Sequence, residues 1–209
     1  MEKIKEQVIL MAYDLFSQYG IKSVSMDDIV RNMGISKRTL YGFFPDKETL
    51  LVEGIDYINS KHEKLIAELE RGPYTVVDVI LLFFEELMER PRWFSKKFYE
   101  DLIKFPKAIE RKEMHKEKFE VVFTRLFNRG VKEGVFQGDV NFEIVVLLAK
   151  EQLKMKHPSK NFCKHSNTDV YTTVLVAFLR GICTDKGRLI LDHWVKTKQL
   201  YSVQLGQPV

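Results

Sequence analysis

The stretch from Ser25 to Lys47, SMDDIVRNMGISKRTLYGFFPDK, constrains the fold of this chain more than any other. Ser25 stands where a helix cap is needed, and Asp28, three residues on, completes a capping box. Met26, Ile29, Val30 and Met33 recur at helical spacing and give that helix one apolar face. Gly34 ends it, because the turn beyond needs a backbone conformation that a side chain opposes. Ser36 is a second cap, and Leu40, Phe43 and Phe44 supply an apolar side to the helix that follows. Two short helices around a Gly-containing turn make a helix-turn-helix, a device for placing a helix in the DNA major groove.

Any two small helices of an all-α protein could share that outline, so the placement of polar groups decides the matter. Lys37, Arg38, Thr39 and Tyr41 crowd the first turns of the second helix while its apolar residues face away. Lys and Arg donate to guanine O6 and N7 or to phosphate, and Thr and Tyr hydroxyls suit phosphate oxygens. Lys47 opens the next helix, where free N–H groups and the helix dipole favour an anion.

At these residues G-I-S-K-R-T-L-Y-G-F-F-P-D-K-E-T-L resembles the recognition helix and following turn of TetR/AcrR-type transcriptional regulators. The upstream Phe16, Tyr19-Gly20 and Ser23 to Ser25 fit the same pattern, so the likeness covers about residues 4 to 55. The resemblance implies base contacts near Lys37 and Arg38, and phosphate contacts from Thr39, Tyr41, Lys47 and Ser25. Four positions depart from the pattern. Val30 and Met33 stand where small residues are common, Arg38 replaces a common Gly, and Gly42 a bulky residue. Gly42 should cost about 1 kcal/mol of helix propensity relative to Ala.

Charge narrows the reading further. Residues 1–50 carry Lys3, Lys5, Lys22, Arg31, Lys37, Arg38 and Lys47 against Glu2, Glu6, Asp14, Asp27, Asp28, Asp46 and Glu48. This segment is neutral overall, which argues against a nonspecific polybasic binder. Any DNA affinity must come from the placement of a few charges, doubled by dimerisation. The first residues show no secretory signal, no apolar run approaches the roughly 20 residues of a membrane span, and two cysteines are too few for a disulfide scaffold. A cytoplasmic protein is expected, with no membrane partner.

The rest of the chain is helical in pattern, with no convincing strand or repeat. Asp46 can cap a long helix toward Leu69, and further helices are expected over 76–88, 93–105, 109–133, 142–156, 169–184 and 185–198. The expected division is a DNA-binding domain over 1–48, a helical effector-binding and dimerisation domain over 49–200, and a tail over 201–209. The fold class is thus all-α, a three-helix helix-turn-helix domain followed by a helical bundle.

The middle of the chain is rich in aromatic residues, and Phe83, Phe84, Trp93, Phe94, Phe98, Tyr99, Phe119 and Phe123 are the candidate walls of an apolar ligand pocket. Aromatic stripes more often fill a core. The resemblance favours the pocket, since the C-terminal domains of that family typically bind effectors. Leu147, Leu148, Val174, Phe178 and Ile182 are candidate dimer contacts, because their helices are apolar around more than one face.

Cys163, His165 and His157 lie near one another in sequence but lack the paired spacing of a zinc site, so no metal or other cofactor is expected. There is no nucleophile elbow, Gly-rich phosphate loop or H-E-x-x-H, and an enzyme is not expected. The reading is a homodimeric repressor released from a palindromic operator by a small apolar or amphipathic ligand. The competing reading is a helical carrier or enzyme that uses the aromatic cavity without binding DNA.

Overall fold

The computed structural model describes residues 2–89, 95–153 and 165–204. Trp93, Phe94, His157 and Cys163 fall outside the described residues. The architecture is all-α: the described residues form ten helices and no strand, with one isolated bridge between Phe136 and Cys183. In order these are α1 (Glu2–Tyr19), α2 (Met26–Met33), α3 (Lys37–Phe43), α4 (Lys47–Arg71), α5 (Val76–Glu89), α6 (Lys96–Leu102), α7 (Pro106–Lys132), α8 (Phe142–Leu153), α9 (Asn167–Ile182) and α10 (Asp185–Gln204).

Two compact units emerge, Met1–Leu65 with Arg90–Glu120 and Ile66–Glu89 with Val121–Val209. The chain crosses between them within α4 and again within α7. Residues of α6 and the start of α7 join the N-terminal core.

In the first unit, Phe16, Ile21, Ile29, Leu40, Phe44, Leu50 and Leu51 are wholly buried. Phe98, Leu102 and Ala108 join the same cluster. Phe98 meets Tyr13 edge-on at 6.4 Å and Tyr99 at 5.5 Å. The α1 helix stops at Gly20, whose φ of 86° is one that L side chains resist. A Cβ there would lie 2.7 Å from Lys97 Cγ and 3.0 Å from Asp101 Oδ2. Asp101 is itself buried, and Oδ2 accepts from the Lys22 N–H at 2.8 Å. The Ser95 N–H also donates to the Ser17 carbonyl at 2.8 Å. Short α6 is therefore held against the end of α1 at both of its ends.

Pro106 takes the first position of α7, where its missing N–H is no loss. The helix thus starts three residues before the expected Ile109. His115 on α7 is buried, with Nε2 2.7 Å from Asp56 Oδ1 on α4. Its Nδ1 faces Glu63 Oε1 at 3.6 Å, too far for a hydrogen bond. Neither of those two atoms has another partner.

In the second unit Phe127 stacks on Phe136 at 5.7 Å and on Phe142 at 4.1 Å. Arg129 on α7 ties the turn before α5, its guanidinium donating to the Tyr74 carbonyl at 2.6 Å and to Glu133 Oε1 at 2.6 Å. Glu133 Oε2 in turn accepts from the Val76 N–H at 2.8 Å. Ser166 and Asp169 form a capping box that starts α9. Cys183 is completely buried, and burial pushes its thiol up to about 11.

Candidate nucleic-acid interface

The helix-turn-helix is built by its caps. At α2 the Ser25 N–H donates to Asp28 Oδ2 at 2.8 Å, and the Asp28 N–H donates back to Ser25 Oγ at 3.1 Å. The Ser25 hydroxyl also donates to Asp28 Oδ2 at 2.6 Å. Together with Arg31, which pairs with the other oxygen, these bonds hold the Asp28 carboxyl down at about 2, the Ser25 hydroxyl acting most strongly. Gly34 closes α2 with φ 64°, ψ 29°. Ser36 then caps α3, its Oγ accepting from the Thr39 N–H at 3.1 Å. Leu40 and Phe44 are wholly buried, so they anchor α3 and turn its other side outward.

That outward side carries the expected readers, each in its own situation. Arg38 is exposed, as is Tyr41. Lys37 is exposed too, but its Nζ lies 2.8 Å from Asp27 Oδ2 on α2, and that carboxylate raises the Lys37 pKa. Thr39 is half-buried, its hydroxyl 2.8 Å from that of Ser36. Lys47 opens α4 half-buried, and its Nζ donates to the Ile21 carbonyl at 3.1 Å. Burial pulls the Lys47 pKa down, opposed by Asp101 and Asp28. An ammonium carries three donors, and the bond to Ile21 uses one of them.

The sequence missed three features: the Asp27 partner of Lys37, the inward bond of Lys47, and the approach of Lys22 to Asp101. Only the first had a nearby signal, an acidic residue on the preceding helix ten positions before the basic helix start.

Phe98, Tyr99 and Phe119 belong to the first unit, and Phe83, Phe84 and Phe123 to the second. Phe98 and Phe83 are buried, at 3% and 7% exposed, and Phe98 is part of the core beneath the helix-turn-helix. One groove of about 520 Å³ is lined by Val121, Thr124, Arg125, Asn128, Arg129 and Lys132 on α7, none of them an expected pocket residue. On α8 and α9, Leu147 and Leu148 are more than half exposed, Val174 and Phe178 are half-buried, and Ile182 is buried within its own unit. Among the described residues no cluster of His, Cys, Asp or Glu could hold a metal ion, and no helix is long and apolar enough to cross a membrane.

Residues 9–53 match the family model described as bacterial regulatory proteins, tetR family. The chain is 28% identical over 114 residues to an uncharacterized HTH-type transcriptional regulator, YuxN, of Bacillus subtilis, covering 52% of this chain. It spans 39% to 44% of the length of three such Bacillus subtilis relatives. To the HTH-type transcriptional repressor KstR2 of Rhodococcus jostii it is 24% identical over 148 residues, covering 67% of this chain and 71% of that protein. A solved TetR-family regulator from Agrobacterium tumefaciens superposes with a TM-score of 0.69 at 16% identity, over 88% of this chain and 99% of its own.

Proposed function

We propose that the chain is a TetR-type, DNA-binding transcriptional regulator that acts as a homodimeric repressor released from a palindromic operator by a small molecule, a reading supported by its match to the tetR family model over residues 9–53 and by its HTH-type relatives. The observation that carries the reading is the doubly capped helix-turn-helix, which turns Lys37, Arg38 and Tyr41 outward on α3. Two such helices, related by a two-fold axis, would enter successive major grooves about 34–36 Å apart, or a multiple of one helical turn. Ser25, Ser36, Thr39 and Lys47 supply hydroxyls and an ammonium for the phosphates that set the register.

The exposed Ile144, Leu147 and Leu148 on α8 support a dimer, since an apolar strip of this kind is costly to leave in water. The remaining described aromatic residues support an apolar or amphipathic effector. Its binding would tilt α4, the helix that starts at Lys47 and continues into the second unit. A coupling of about 1–3 kcal/mol is enough to shift operator occupancy usefully.

The test is selection of bound sequences from a random duplex pool at near-physiological salt, because phosphate binding is salt-sensitive. A palindromic consensus supports a dimeric sequence-specific regulator. No enrichment by folded protein refutes it.

A further inference from the structure

Beyond α3, the first unit gathers lysines around the segment Gly20–Lys22. Lys47 Nζ donates to the Ile21 carbonyl at 3.1 Å. Lys97 on α6 runs beside Gly20, its Cγ 2.7 Å from where a Cβ would stand. Lys104 follows α6 three residues after Asp101, its N–H bonded to the Asp101 carbonyl at 3.0 Å. Asp101 meanwhile holds the Lys22 N–H, and so fixes the α1–α2 turn against α6.

Asp101 thus bonds the Lys22 N–H through its carboxylate and the Lys104 N–H through its carbonyl, so two exposed lysines leave the chain beside one residue, and Lys104 pulls the Lys22 pKa down. Lys22, Lys97 and Lys104 are all exposed. Asp101 is the acidic group among them, buried and spent on the Lys22 backbone.

Two ammonium groups rooted beside one residue repel. A phosphate oxygen between them converts the repulsion into two charge-assisted hydrogen bonds. The position suits DNA, for Lys22 lies three residues before the Ser25 cap, and Lys47 feels both Asp101 here and Asp28 of that cap.

We propose that Lys22 and Lys104, with α6 as their support, form a second phosphate-backbone contact flanking the helix-turn-helix. This inference rests on the DNA-binding reading and extends its footprint to a helix some 60 residues beyond the recognition helix. The contact reads no base, and its job is to set register and affinity.

The experiment titrates the full chain, by fluorescence anisotropy across a salt series, with two labelled duplexes. One carries the sequence enriched by selection, and the other a mixed sequence of equal length. Lys104→Ala and Lys22→Ala should each lower the slope of log affinity against log salt by about 1 per subunit, on both duplexes alike. Lys104→Arg should restore it. Lys107→Ala, an exposed control on the first turn of α7, should leave it unchanged. If Lys104→Ala keeps the wild-type slope and affinity while Tyr41→Ala abolishes binding, the second contact is wrong and the regulator reading stands. That same result is expected if the patch serves an acidic protein instead. Failure of the wild-type chain to bind either duplex overturns both readings.

Discussion

Gly20→Ala tests how the α1–α2 turn is held, and its cost can be worked from the geometry. The φ of 86° should cost an L side chain about 1–2 kcal/mol. The new Cβ would also stand 3.0 Å from Asp101 Oδ2, which is held at 2.8 Å from the Lys22 N–H. Displacing that carboxylate forfeits a hydrogen bond to a charged acceptor, about 1.5–3 kcal/mol. The stiffer unfolded chain of the alanine variant returns about 0.4–1 kcal/mol. The expected net loss is about 2–4 kcal/mol. Hydrogen exchange at the Lys22 amide is the local readout, and its protection should fall. A calorimetric melt should drop by roughly 4–16 °C for a chain of this size. Lys97 Cγ, 2.7 Å from the new Cβ, is the competing culprit, but it is the movable part of a flexible side chain. Lys97→Ala in the Gly20→Ala background should therefore recover no more than about 0.5 kcal/mol. Full recovery would mean that crowding by Lys97, not the backbone and Asp101, sets the cost, and the reasoning above would be wrong.

Other outcomes follow from the same structure. The Asp28 pKa is about 2 when folded and about 3.9 when unfolded, so its contribution is present above pH 4 and lost as pH falls toward 2. The stability gap between wild type and Asp28→Asn, measured by chemical denaturation, should close across that window; a gap unchanged at pH 2 would contradict it. Arg38→Ala should cost about 1–3 kcal/mol of operator affinity and relax preference at one position per half-site, whereas a uniform loss on all sequences would assign Arg38 to phosphate. Gly130→Ala would place a Cβ 2.3 Å from Phe136 Cδ2, whose ring is stacked on Phe127, and should destabilise the second unit by about 1–3 kcal/mol in a denaturant titration. Leu147→Glu with Leu148→Glu should shift the sedimentation coefficient from dimer to monomer, and an unaltered dimer would place the interface elsewhere.

What was legible in the sequence is what is local. The Ser25–Asp28 box, the Gly34 stop and the Ser36 cap each join positions no more than four apart, and all three formed as read. The helical class and the order of helices also follow from periodicity. Tertiary partners were not legible. Lys22 meets Asp101 across 79 positions, and no pattern near Lys22 announces it. Helical spacing cannot say which core a face enters, and Phe98 lies in the N-terminal one. Ile182 shares the apolar character of its neighbours and is used inside its own unit. Lys37 and Lys47 were read by residue type alone, and both already hold an oxygen of this chain. Under the proposed function, a phosphate or base edge would have to displace Asp27 at Lys37, while Lys47 commits one donor to the Ile21 carbonyl.

The deeply set Cys183 gives the second unit its own clock. A thiolate is the reactive form, and a thiol raised to about 11 and wholly buried offers almost none of it in the native state. Alkylation at this position therefore waits for the surrounding helices to part. Its rate, followed by peptide mass spectrometry, counts those openings one molecule at a time, while exchange at Lys22 counts the openings of the first unit. The two readings together tell whether an added duplex or small molecule steadies one half of the protein or both, with no engineered probe needed.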